Sequence, residues 1–127
     1  MLSESLQIGV IGAGAWGTAV ARLLVNNGNS VQLWCHEAGT RQDILTNHLN
    51  SSFLPDILLP EKIGASTDLS EVVRTSKILV ASLPSHFTRE IAKKMSPEIT
   101  DEHIVVILSK GIEQHSLALM SEIYANE

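Results

Sequence analysis

Residues 8–24 read IGVIGAGAWGTAVARLL, an apolar run broken by Gly12, Gly14 and Gly17 that resumes at helical spacing. A plain buried strand has no use for three glycines there. A strand that must turn sharply and bring its backbone against a phosphate does. The G-x-G-x-x-G spacing gives Gly12 the tight turn, Gly14 the close approach of backbone to a pyrophosphate, and Gly17 the packing of helix on strand. The helix N-terminus then offers unpaired N–H donors and partial positive charge to the phosphates. The competing reading is a glycine turn that serves packing only.

The rest of the chain supplies the context this motif needs. LQIGVI (6–11) is a short buried strand, and Ala15 to about Asn27 is helical, with Ala19, Val20, Leu23 and Leu24 at the right spacing before NNGN stops it. SVQLWC (30–35) is a second strand, followed by a helix over 38–50 carrying Ile44, Leu45 and Leu49. SSFLPDILLPEKI holds two prolines and reads as an ordered loop. IGAST is a short strand and DLSEVVRTS a short helix capped by Asp68. KILVASLP (77–84) is a third strong strand, SHFTREIAKKM a helix begun by Ser85, and HIVVILSKG (103–111) a fourth strong strand before a helix that runs to the last residue. Strands rich in Val and Ile, alternating with helices, predict a parallel sheet covered on both faces, with ligands beyond the carboxyl ends of the strands.

Composition narrows the partners. The chain has 127 residues, 44% hydrophobic and 18% charged, enough for one domain with a real core. A net charge of −5 disfavours nucleic acid and anionic membrane surfaces, so an anionic ligand must be held locally. The single cysteine, Cys35, excludes an internal disulfide and fits a reducing cytoplasm. No apolar run approaches the roughly 20 residues of a membrane span, and the N-terminus lacks the pattern of a secretory signal. The histidines and carboxylates lack metal-ligand spacing, so no metal site is expected.

An NAD site usually carries Asp or Glu at the end of the second strand, for the ribose hydroxyls. Counting 20 residues past Gly17 reaches Glu37, but the strand ends near Trp34–Cys35, which puts Cys35 or His36 at the discriminating position. With no carboxylate there a 2′-phosphate is not repelled, and His36 can donate to it, so NADP is favoured with NAD tolerated. The alternative for His36 is a solvated loop histidine, and Cys35 reads as a small buried filler. Trp16 has two readings of equal weight, a ring packed on a second domain or neighbouring loop, or a ring flanking the cofactor. Lys110 ends a buried strand beside a glycine, where an ammonium can attract a phosphate or polarise a carbonyl. Its bland alternative is a lysine snorkelling at a strand end.

GAGAWGTA (12–19), NSSFLP (50–55) with LP (59–60), LPSH (83–86) and SKGIE (109–113) together resemble, in order and spacing, the amino-terminal half of bacterial NAD(P)-dependent glycerol-3-phosphate dehydrogenase. The resemblance covers essentially the whole chain. It implies a Rossmann-type α/β fold, doubly wound, and a cytoplasmic enzyme. The implied reaction is reversible hydride transfer between NAD(P)H and dihydroxyacetone phosphate, giving sn-glycerol 3-phosphate for phospholipid synthesis. By position it assigns Gly12, Gly14, Ala15 (through its backbone N–H), Trp16 and Gly17 to the pyrophosphate end of the cofactor. His36 falls where many members have an arginine at the adenosine end, which softens the preference for NADPH over NADH. Phe53 and Pro84 match cleft-lining residues, and Lys110 matches the lysine between nicotinamide and substrate. Members also need a second, mostly helical domain that supplies another lysine, grips the substrate and carries any homodimer contact. Residues 1–127 are therefore expected to be the cofactor domain, binding nucleotide with little or no turnover. Other dehydrogenases of this architecture, such as hydroxyacid or ketopantoate reductases, and a stand-alone nucleotide-binding module are the alternatives.

Overall fold

The computed structural model describes residues 7–83 and 87–108. In chain order the elements are β1 (Gln7–Ile11), α1 (Ala15–Asn26), β2 (Ser30–Trp34), α2 (Ala38–Asn47), β3 (Gly64–Ser66), α3 (Leu69–Thr75), β4 (Ile78–Ala81), α4 (Thr88–Met95) and β5 (Ile104–Ile107), with a 3-10 turn at Ser96–Glu98 before β5. The strands form one parallel sheet in the order β3-β2-β1-β4-β5. The chain winds outward from β1 to β3, then crosses back to lay β4 on the other side of β1. That reversal puts α1 and α2 on one face of the sheet and α3 and α4 on the other, as right-handed crossovers require.

The side chains follow the winding. Ile8, Val10, Val31 and Leu33 pack with Ala21 of α1 and Ile44 of α2 on one face. Ile11 and Leu79 pack with Val72 and Val73 of α3 and Ile91 and Met95 of α4 on the other. Burial of both faces explains the near-continuous apolar strands.

Several element ends differ from expectation for visible reasons. α2 stops at Asn47 rather than 50, because His48 takes a left-handed conformation (φ 57°) at its C-terminus. Among the described residues α4 begins at Thr88, with Phe87 in the cap position. Its buried face is Thr88, Ile91, Ala92 and Met95, so the amphipathic repeat itself starts at Thr88. Asp68 caps α3 as expected, its carboxylate accepting from the Glu71 N–H at 3.1 Å. Ser85 and the helix expected after residue 111 lie outside the described residues.

Candidate functional site

β1 ends at Ile11, and Gly12 turns the chain with φ +115°, where L side chains are strained. A Cβ at Gly12 would overlap the Ser82 carbonyl oxygen. The Gly12 N–H donates to the Trp34 carbonyl at 3.3 Å, and the Ser82 N–H donates to Ile11 at 2.9 Å, so the turn is knit to the ends of β2 and β4. Gly17 lies so close beneath it that a Cβ there would overlap the Gly12 carbonyl oxygen. Gly14 differs: nothing stands within 4 Å of where its Cβ would be. It occupies the N-cap position of α1 with extended backbone, no side chain caps the helix, and no acidic residue sits in the first turn. The first N–H groups of α1 are thus left without a side-chain acceptor, beside open space.

A cleft of about 390 Å³ opens here, at the carboxyl ends of β1, β2 and β4 where the strand order reverses. Gly12, Ala13 and Gly14 form its floor. Trp34, His36, Glu37 and Thr40 line it from the β2–α2 connection, and Phe53 from the loop after α2. Ser82, Leu83 and Phe87, with Glu90 and Ile91 of α4, close the other side. An uncapped helix N-terminus facing a mostly apolar cleft at the switch point fits a dinucleotide, with its pyrophosphate on the helix and its flat rings on the aromatics.

The expected residues are distributed as follows. Gly12, Gly14, His36 and Phe53 line the cleft, and Gly17 supports its floor. Ala15 and Trp16 begin α1, and the Trp16 ring is 64% exposed without lining the cleft. Pro84 and Lys110 lie outside the described residues.

At the end of β2 the two candidates separate. Cys35 is fully buried, and loss of solvation pushes its thiol up to about 11 despite the opposing charge of Arg41, so it is a core filler without nucleophilic character. His36 is exposed and meets the edge of Trp34, ring centroids 5.9 Å apart. Trp34 is itself fixed by its indole N–H, which donates to the Thr67 carbonyl at 3.1 Å. β2 ends at Trp34, and both His36 and Glu37 line the cleft before α2 begins, so a carboxylate stands beside the imidazole at this end of the cleft.

Sequence reasoning missed Thr40, Phe87, Glu90 and Asn50. An aromatic beside a helix start, at the carboxyl edge of the sheet, is the signal that could have found Phe87. Asn50 is 1% exposed, and its Nδ2 donates to both the Ala13 carbonyl and Thr18 Oγ1 at 2.8 Å. Nothing in its polar, loop-like surroundings marks it as buried. Among the described residues no group of three or more His, Cys, Asp or Glu side chains could hold a metal ion, and no helix is long and apolar enough to cross a membrane.

Residues 7–127 match the family described as "NAD-dependent glycerol-3-phosphate dehydrogenase N-terminus". A glycerol-3-phosphate dehydrogenase [NAD(P)+] from Leptospira biflexa is 41% identical over 122 residues, which are 96% of this chain and 37% of that relative. The crystal structure of glycerol-3-phosphate dehydrogenase from Coxiella burnetii superposes with a TM-score of 0.89 at 29% identity, over 97% of this chain and 38% of that one. A ketopantoate reductase of the PanE/ApbA family from Ralstonia eutropha has a TM-score of 0.72 at 23% identity, over 95% of this chain and 38% of its own, which shows a shared fold alone. The chain thus spans a little over a third of the length of the relatives it matches.

Proposed function

Because this chain belongs to the NAD-dependent glycerol-3-phosphate dehydrogenase family, we propose that its residues form the dinucleotide-binding domain of such an enzyme. The observation that carries this reading is the uncapped N-terminus of α1 beside the open side of Gly14, at the strand-order reversal. In the proposed reaction dihydroxyacetone phosphate is reduced to sn-glycerol 3-phosphate, and NAD(P)H, when bound, supplies the hydride.

This chain's own residues bind and orient. Backbone N–H groups from Gly14 to Gly17 hold the pyrophosphate, and Gly12 lets the chain turn beneath it. His36 and Glu37 flank the adenosine ribose with opposite tendencies, the imidazole favouring a 2′-phosphate and the carboxylate favouring a 2′-hydroxyl. Phe53 and Phe87 exclude water from the cleft. We assign to Trp16 and Pro84 further contacts with the bound cofactor. To Lys110 we assign the ammonium that draws in the substrate phosphate and stabilises charge developing on the carbonyl oxygen. We assign the second lysine, the grip on the glycerol phosphate and any homodimer contact to the rest of the relatives' length, and the working compartment to the cytoplasm.

Calorimetric titration of the 127-residue chain with NADH and with NADPH tests the reading. Saturable binding of either, without dihydroxyacetone phosphate turnover, is the expected result. A folded chain that binds neither overturns the dinucleotide assignment, and normal turnover overturns the division of labour between the domains.

A further inference from the structure

We propose that Asn50 is a positioning residue for the cofactor: it aims a phosphate-binding N–H of the glycine turn and locks the Phe53 wall of the cleft to that turn. The inference rests on the dinucleotide reading of the cleft and adds a residue to it.

The side chain makes two hydrogen bonds, both as donor, to the Ala13 carbonyl and to Thr18 Oγ1, each at 2.8 Å. A carbonyl can only accept, so the amide nitrogen must face Ala13. This orientation leaves Oδ1 buried with no hydrogen-bond partner among the described residues. A buried orphan acceptor is costly. An apolar side chain of similar volume avoids that cost, so packing alone does not account for an asparagine here. Its distinguishing property is the pair of donors.

The pair has a geometric consequence. The Ala13–Gly14 peptide is planar and trans, so its C=O and N–H point in opposite directions. Holding the Ala13 carbonyl on a fully buried side chain turns the Gly14 N–H away from the interior, on the side where Gly14 lines the cleft. Released, the peptide can rotate and take that donor out of line with a phosphate. The second donor fastens the same amide to Thr18, whose own N–H closes the first turn of α1 on the Gly14 carbonyl at 3.0 Å.

Asn50 also organises the loop it belongs to. Its backbone carbonyl accepts from the Phe53 N–H at 3.3 Å and the Leu54 N–H at 2.8 Å, which seats Phe53 on the cleft. The loop is held to α2 by Leu59 N–H on the His48 carbonyl and by Ser51 N–H on Asp43. The Asn50 side chain holds it to α1 and the glycine turn. One residue therefore couples the floor and one wall of the cleft.

The test uses the 127-residue chain with Asn50→Ala, Phe53→Ala and the double substitution. In the free chain, amide hydrogen exchange at Thr18, Phe53 and Leu54 is expected to accelerate together in Asn50→Ala, while α3 keeps its wild-type protection. With NADH as probe, Asn50→Ala is expected to weaken binding about tenfold or more, the scale of one lost hydrogen bond to a buried group. Phe53→Ala should cost several-fold in the wild-type background and less than twofold beside Asn50→Ala, since a wall already released has less to lose. Unchanged NADH affinity, penalties that simply multiply, or loosening of one segment without the other overturns the proposal. If the wild-type chain binds no NADH, the dinucleotide reading fails by itself, and the exchange measurement still decides whether Asn50 couples the two segments. Should Asn50→Ala not fold, the near-isosteric Thr18→Val removes one of the two acceptors and is expected to give the same signs at smaller size.

Discussion

Gly12 and Gly14 are two residues apart and answer to different demands. Gly12 is required by its backbone angle and by the Ser82 carbonyl, whereas Gly14 has ordinary backbone and empty space where a Cβ would go. Gly14→Ala is therefore expected to leave the unfolding free energy within about 0.5 kcal/mol of wild type, as at an unconstrained surface site. The same methyl stands where phosphate oxygens approach, so NADH binding should fall at least about tenfold. Calorimetry beside a denaturant titration separates the two effects, and a variant that loses stability and binding in proportion contradicts the assignment. Glu37→Gln removes a negative charge from the ribose end of the cleft. A like-charge penalty of about 1 kcal/mol, the scale for two charges a few ångströms apart in water, predicts a several-fold rise in NADPH affinity relative to NADH. Glu37 also shows where sequence reading ran out. Counting residues from Gly17 reached it, but inference from the strand end set it aside, because whether one or two side chains of a connection face a cleft depends on how the helix enters. Asn50 escaped for a related reason: a polar residue at the expected end of a helix looks solvated until the turn it grips is seen beneath it.

At the level of elements, apolar runs and glycine punctuation are enough to find the five strands and four helices among the described residues, because the central strands are buried on both faces and α1, α3 and α4 set apolar residues against them. Boundaries were less legible. The buried face of α4 is the Thr88–Ile91–Met95 stripe, and α2 ends on a histidine in a conformation usually given to glycine. The segment after α2 is an ordered loop, and its order has a titratable component. Asp43 accepts from the Ser51 N–H at 2.8 Å and from Asn47 Nδ2 at 3.0 Å, and these donors, Ser51 first, hold its carboxyl below the usual value. A carboxyl depressed on folding contributes its hold at neutral pH and loses it as pH falls through the folded value. The Ser51 amide resonance should therefore titrate with a midpoint below the ordinary aspartate value of about 3.9. In Asp43→Asn that transition should vanish; its persistence would mean another group is responsible.

Across the whole molecule, the two ends of the sheet carry different burdens. The carboxyl ends hold the cleft, while at the amino ends His103 ties the approach to β5 onto α3. Its Nδ1 accepts from the Thr100 N–H at 2.9 Å, which leaves Nε2 as the donor to the Val73 carbonyl, also at 2.9 Å. His103→Ala is expected to cost about 1–2 kcal/mol of stability through the lost bonds and the stranded carbonyl, with NADH affinity unchanged once the chain is folded. Denaturation and titration of one sample check both halves of that statement. The contact of Gly17 with the Gly12 carbonyl has a wider bearing. With no clearance between the helix and the turn below it, the phosphate cradle is an anvil of fixed shape, unable to open or shrink to suit a different nucleotide. Retuning this protein towards another dinucleotide is therefore work for the connections that rise around the anvil, at His36, Glu37 and the Phe53 loop, and a library that spares the three glycines keeps its folded members while it searches.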